Sequence, residues 1–354
     1  MKEWILNIFV SLVSILLAFG VLEFAARIYG GEFDFKNFLG EERTLFSSAY
    51  PSEYDPDLGW IPKEGTTITE NVWGKKVTIL KNGIRSNGNE ELSNSFADAA
   101  PVLVVGDSFT FGDQVSDSET WPAILERLLK KRVINGGVFG YGLDQSILRA
   151  GKLIDVYRPN TLIVGLIPDD INRCELSKRS AVEKPYFDIV DNRLIPKNVP
   201  VPRPSGKAVT DNFRHFLGYS YFVHKIMMRC CPHYWLMGIT WNQFYTGYRI
   251  HNKGKAVACL LLKKLSVLAQ VNDISKVYVL VQHTSDLPPD EHALMRNLFE
   301  SCIDEESIRI LDLWGALSEV RTQDAKTFKR YYDRHMTYDG NHFVARQLQK
   351  AMNN

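Results

Sequence analysis

The stretch Val102-Leu103-Val104-Val105-Gly106-Asp107-Ser108 constrains this chain more than any other. A run of aliphatic, mostly β-branched residues ends in a small turn. That pattern reads as a buried strand delivering a serine to the carboxyl edge of a sheet. The same tripeptide Gly-Asp-Ser also suits an ordinary turn with a helix N-cap, so the residues beyond it decide between the two.

From residue 102 strands and helices alternate. Strands are expected at 102–106, 133–134, 161–167, 277–281 and 308–311. Helices are expected at about 120–131, 143–156, 256–271, 289–303 and 341–352. On 120–131, Trp121, Ile124, Leu125, Leu128 and Leu129 mark one apolar face. Such alternation predicts a five-stranded parallel sheet with helices on both faces. Ligands then bind beyond the carboxyl ends of the strands, where Ser108, Gly140 and Asp169 all fall.

Two stretches do not fit the alternation. Residues 30–100 read as a connecting arm with limited regular structure. Within it, 55–60 is turn-like, 72–80 is a candidate strand, and Lys81-Asn82-Gly83-Ile84-Arg85 suggests a hairpin. Residues 172–253 form an insertion into the domain 101–354. It is rich in proline and then in aromatic residues, from Phe213, Phe216, Tyr219, Tyr221 and Phe222 to Tyr234, Trp235, Trp241, Phe244, Tyr245 and Tyr248. Placed over the ligand edge it would form a cap or a platform for a sugar. Its rings would otherwise pack a small core of their own or meet a membrane interface.

Residues 1–29 read as a membrane anchor. The run 4–22 is uncharged, broken only by Asn7, Ser11 and Ser14, and is long enough to cross a bilayer. Lys2 ahead of it favours an N-terminus in the cytoplasm. The expectation is a single pass of the inner membrane with the domain on the periplasmic or extracellular side. A cleaved signal peptide is the competing reading, but no Ala-x-Ala site closes the run.

The 354 residues suffice for one large domain or two small ones. A formal net charge of +1 gives no electrostatic reason to expect a nucleic-acid partner. The five cysteines show no zinc-type spacing. Cys259 and Cys302 fall on expected helices and read as small core residues. A disulfide between Cys174 and Cys230 or Cys231 is open.

Acyl transfer by serine needs a nucleophile, a base, an acid to orient the base, and donors for the oxyanion. Ser108 is the candidate nucleophile. His335, in Asp333-Arg334-His335, is the candidate base and Asp333 the acid. His342 is the rival base, better placed to pack or cap the last helix. The backbone N–H groups of Ser108 and Gly140 are candidate oxyanion donors. The pair Asp169-Asp170 could also bind a metal, but no third ligand is placed beside it.

These blocks resemble the SGNH hydrolases, the GDSL-like esterases and acyltransferases, over 102–170 and 255–350. Gly106-Asp107-Ser108 resembles the first block, 135–141 with Gly140 the second, and Asp333-Arg334-His335 with Gly340 the last. Residues 55–60 and 82–85 resemble the lead-in of membrane-anchored bacterial members. The resemblance implies a three-layer α/β/α, flavodoxin-like fold and ester chemistry without metal or cofactor. It also implies an oxyanion role at position 169, where the family has Asn and this chain has Asp. Asp169 must then be protonated, be turned away, or be replaced by Asn172, or the site is weak.

The expected function is ester hydrolysis of acyl, including acetyl, groups on a glycan or polysaccharide through an acyl-enzyme on Ser108. Polysaccharide O-acetyl transfer with the same nucleophile, a non-catalytic glycan-binding scaffold, and a lipid esterase remain open. The expected partners are an acylated glycan or other ester, and the membrane through the first helix.

Overall fold

The structure, a computed structural model, describes residues 2–38, 51–71, 74–96, 99–179, 182–203, 212–231, 234–235, 249–303 and 307–353. The chain divides into two compact units. One comprises 1–48 and 205–247, the other 49–204 and 248–354.

The larger unit is built on a single sheet of eight strands, not five. They are β1 (Thr67–Ile68), β2 (Val77–Leu80), β3 (Ile84–Arg85), β4 (Val102–Val105), β5 (Val133–Asn135), β6 (Thr161–Leu166), β7 (Lys276–Val281) and β8 (Arg309–Asp312). Their spatial order is β8-β7-β6-β4-β5-β3-β2-β1. The expected five, β4 to β8, pair in parallel. The other three pair antiparallel beyond β5.

Those three come from 30–100, the segment expected to be an arm. Only 72–73 of its candidate strand lie outside the described residues. The turn at Lys81–Gly83 brings Ile79 opposite Arg85, as a hairpin requires. β2 falls within the candidate strand 72–80 and β3 within the hairpin 81–85, while β1, at two residues, is too short to show a period of two in the sequence. What fixes them is tertiary. Arg149 donates to the carbonyls of Gly83 (2.8 Å) and Gly136 (2.7 Å), so one buried guanidinium joins the arm to the loop after β5.

Alternate residues of the central strands enter two cores. Leu103, Val105, Leu162, Val164, Val277 and Val279 face the helices Leu143–Tyr157, Gly254–Val271 and Pro289–Cys302. Val102, Val104, Ile163, Tyr278 and Leu280 face Trp121–Leu129 and Tyr338–Asn353. This is the three-layer α/β/α arrangement. β5 and β6 leave β4 on opposite sides, so the crevice at a topological switch point opens at the carboxyl end of β4.

Helices Gly254–Val271 and Pro289–Cys302 are joined by a Cys259–Cys302 disulfide with Cα atoms 5.1 Å apart. Both cysteines pack with the core, as expected, but helix against helix also brings them face to face. Cys174, Cys230 and Cys231 are free thiols.

The insertion 172–253 is not one body. Residues up to 204 belong to the larger unit, where Tyr186–Val190 and Arg193–Lys197 form a hairpin. Residues 205–247 belong with the N-terminal helix. That helix, Lys2–Gly30, carries an apolar stretch long enough to cross a membrane and buries none of it. Of the insertion's aromatic residues, Tyr221 and Trp235 are buried while Phe213 and Phe216 are exposed. Trp241, Phe244, Tyr245 and Tyr248 lie outside the described residues.

Candidate active site

The carboxyl end of β4 builds the site from the backbone outward. A Cβ at Gly106 would stand 2.5 Å from the carbonyl oxygen of Gly165 on β6, so only glycine permits this approach. The carboxylate of Asp107 then accepts the N–H of Phe109 at 2.9 Å and caps the one-turn helix Ser108–Phe111. Ser108 is the first residue of that turn. Its N–H therefore has no acceptor within the helix, and the residue is buried at the carboxyl end of β4.

His335 Nε2 lies 2.9 Å from Ser108 Oγ. Residues 227 apart in sequence are thus within hydrogen-bond reach. The ring packs against Phe109, with centroids 5.0 Å apart. The strand pair Tyr332–Asp333 and His335–Met336 presents it, turning at Arg334 with a φ of 68°. Tyr332 donates its hydroxyl to the carbonyl of His283, just past β7, which fastens this pair to the sheet. His283 is itself buried and pairs with Asp312 at the end of β8 (2.7 Å).

Burial, then the charges of Arg173 and Arg334, pushes His335 down to about 4. The imidazole is therefore neutral at pH 7 and can accept the Ser108 proton at Nε2. Nδ1 is buried and has no hydrogen-bond partner among the described residues. Asp333, expected to hold that nitrogen, has an exposed side chain and no hydrogen bond to the ring. The tight turn at Arg334 sets Asp333 across from His335 as a backbone partner instead.

The groups that do hold His335 come soon after Ser108 in the chain. Gln114 Oε1 accepts the backbone N–H of His335 at 2.6 Å. Asp113 Oδ2 stands 3.7 Å from Nε2, where a proton taken from Ser108 would arrive. Neither residue is among those the sequence points to. A polar pair beyond the left-handed Gly112 is the available signal. Arg85 of β3 fixes this loop. Fully buried, it donates to the carbonyls of Phe111, Gly112 and Val115 and pairs with Asp117 (3.0 Å).

Gly140 lies in a turn at φ 76°, with both neighbours pinned. Trp60 Nε1 donates to Phe139 O (3.0 Å) and Arg173 Nη1 to Tyr141 O (2.8 Å). Val138 N–H bonds to Gly106 O at 2.9 Å, which lays this loop against the Ser108 turn.

Asp169 comes after β6. Burial alone would raise its pKa, but the charges of Arg173 and Arg179 hold it below the ordinary carboxylate value. Its Oδ2 accepts from Arg173 Nε at 2.8 Å. It is an anion, so it has no hydrogen to give an oxyanion. Asn172 is exposed, and its side chain bonds to Asp169. Arg173 also reaches Asp170 (2.7 Å) and Asp107 (3.4 Å). Burial pushes both of these carboxyls up, Asp170 further because Asp107 lies beside it, while Arg173 opposes the rise. The guanidinium occupies the place between Asp169 and Asp170 where a metal reading would put an ion, and among the described residues no group of three metal-ligating side chains is found. His342 packs against Tyr338 on the last helix, with ring centroids 6.1 Å apart and planes tilted by 44°.

No family model matches the sequence, and no curated protein matches it. Several solved structures do. TesA is 13% identical with a TM-score of 0.41, covering 71% of this chain and 97% of that one. An acetyl-xylooligosaccharide esterase mutant, Axe2 from Geobacillus, is 11% identical with a TM-score of 0.41, covering 72% and 95%. A lipolytic protein of the G-D-S-L family from Desulfitobacterium hafniense is 12% identical with a TM-score of 0.36, covering 71% and 99%. Likenesses this distant assign no activity, and the sheet order and the Ser108–His335 pair stand on this chain's own geometry.

Proposed function

We propose that the chain is a membrane-anchored serine esterase that cleaves acyl esters through an acyl-enzyme on Ser108. The observation that carries this is the 2.9 Å approach of His335 Nε2 to Ser108 Oγ at the switch point of a parallel sheet. Neutral His335 takes the Ser108 proton as Oγ attacks the ester carbonyl carbon. The oxyanion forms near the N–H groups of Ser108 and Gly140. The alcohol then leaves with the proton from Nε2, and Ser108 keeps the acyl group. Water or a sugar hydroxyl, deprotonated by the same nitrogen, attacks the acyl carbon, and Ser108 Oγ leaves taking that proton back from Nε2, which regenerates the neutral pair. Asp113 would steady the imidazolium that exists between these transfers.

The substrate we favour is an acyl, above all acetyl, ester of a glycan. What supports it is the sequence form Asp-x-His at 333–335, which resembles polysaccharide-acetylating members of the SGNH group, although Asp333 does not bond to the ring here. The membrane-spanning first helix, with Lys2 ahead of it, would place the larger unit outside the cytoplasm. The Cys259–Cys302 disulfide fits an oxidising compartment. Transfer to a sugar, in place of hydrolysis, uses the same machinery.

Release of 4-nitrophenol from 4-nitrophenyl acetate by the full chain in detergent tests the reading. Activity abolished in Ser108→Ala and in His335→Ala is expected. Activity that survives in Ser108→Ala would rule out this nucleophile. Trapping a labelled acetyl group on Ser108 and adding water or a sugar acceptor separates hydrolase from transferase.

A further inference from the structure

The smaller unit contains a helix whose polarity is inverted for a protein in water. In Asn212–Leu217, Arg214 is only 4% exposed and donates to the carbonyl of Tyr234, while Phe213 and Phe216 are each 71% exposed. A cation inward and two phenylalanines outward is the pattern of a helix whose surroundings are apolar.

The next helix, Tyr221–Cys230, is fixed at a definite height on the N-terminal helix. Glu23 accepts the Ser220 hydroxyl (2.6 Å) and the N–H groups of Tyr221 and Phe222 (2.9 Å each), so a side chain of the first helix caps the start of the second. Arg27 completes the joint, bonding Glu23 (2.6 Å) and the carbonyl of Tyr219 (3.0 Å). Below this polar joint, Phe222 meets Phe19 edge to face with centroids 6.2 Å apart.

That height coincides with a bilayer boundary. A helix rises about 1.5 Å per residue, so Trp4 to Glu23 spans roughly 30 Å, the thickness of the hydrocarbon core. Glu23 then marks the exit and Phe19 lies about one turn inside it. Phe222 therefore reaches acyl-chain depth. Lys225 and Arg229, four residues apart on the second helix, are both exposed, and long basic side chains of this kind extend toward lipid phosphates.

We propose that residues 212–230 form a second membrane contact: a collar in the headgroup layer at the C-terminal end of the anchor. Phe213 and Phe216 enter the acyl chains, and Lys225 and Arg229 face the phosphates. The inference rests on reading Lys2–Gly30 as a membrane span and adds a second contact to it. A single helix leaves the chain free to tilt and spin, and the collar would remove that freedom for this unit.

The test uses the full chain in vesicles of phosphatidylethanolamine and phosphatidylglycerol. The exposed thiols are removed by Cys230→Ser and Cys231→Ser. An environment-sensitive dye is attached in turn at Phe213→Cys, Phe216→Cys and, within the anchor, Leu12→Cys. We expect doxyl groups high on the acyl chain to quench the dye at 213 and 216, doxyl groups near its end to quench it at 12, and aqueous iodide to reach none of the three. If iodide quenches 213 and 216 as freely as dye in solution while 12 stays lipid-quenched, the collar is refuted and the anchor stands. If iodide also reaches 12, the anchor reading fails and the collar with it.

Discussion

Gln114 Oε1 holds the backbone N–H of His335 at 2.6 Å, tying the loop after Ser108 to the turn that carries the proposed base. The bond sets where the imidazole sits without touching a reacting atom. Gln114→Ala should therefore lower kcat by about tenfold to a hundredfold through misplacement of His335, with KM little changed. Steady-state kinetics on 4-nitrophenyl acetate check it. An unchanged kcat would show that Phe109 packing alone is enough.

The acid limb of the rate is expected at about pH 4, where burial and the charges of Arg173 and Arg334 have pushed His335. Only the neutral ring accepts the serine proton, so activity appears as pH rises through that value. Stability has the matching sign. An unfolded histidine titrates near pH ~6.5, so between there and the folded value only the unfolded chain binds the proton. Stability present above ~6.5 is lost as pH falls toward 4. Arg334→Gln removes one of the opposing cations and should move the limb upward in a kcat/KM profile. A wild-type limb at ~6.5 would contradict the buried environment.

Asp169 tests the oxyanion site. Asp169 is an anion bound to Arg173, and in the oxyanion position that the proposed site gives it, it would oppose negative charge on the substrate carbonyl. Asp169→Asn removes that charge and supplies an amide donor, so the rate should rise by about tenfold or more. Arg173 keeps Asp170 and Asp107 as partners. A fall in rate would mean that the carboxylate serves the reaction as it stands.

Asp113 and Asp333 are expected to separate. Asp113→Asn removes the carboxylate 3.7 Å from Nε2 and should cost about tenfold or more in kcat. Asp333→Asn alters an exposed side chain that does not bond to the ring, and should leave kcat within about threefold. The reverse order would restore Asp333 as the orienting acid.

Arg85→Met should destabilise the larger unit by about 3–5 kcal/mol, because it strands the buried carboxylate of Asp117 and three loop carbonyls. Denaturant unfolding in detergent measures it. A loss under about 1 kcal/mol would show that the β3 strand contributes little to the Ser108 loop.

The parallel core and the place of Ser108 within it are legible in the residues alone. Buried strands and amphipathic helices are written in consecutive residues, as in Val102–Val105 and Trp121–Leu129, so a local pattern is enough to read them. The apolar N-terminal helix is legible for the same reason. Which distant groups meet is settled only in three dimensions. Gln114 reaches His335, Cys259 faces Cys302, and Glu23 caps the helix that begins at Tyr221. No local period records such pairings, because packing of whole elements creates them. Packing also fixes the charge on Asp169 and on His335, since both depend on burial and on the guanidinium of Arg173.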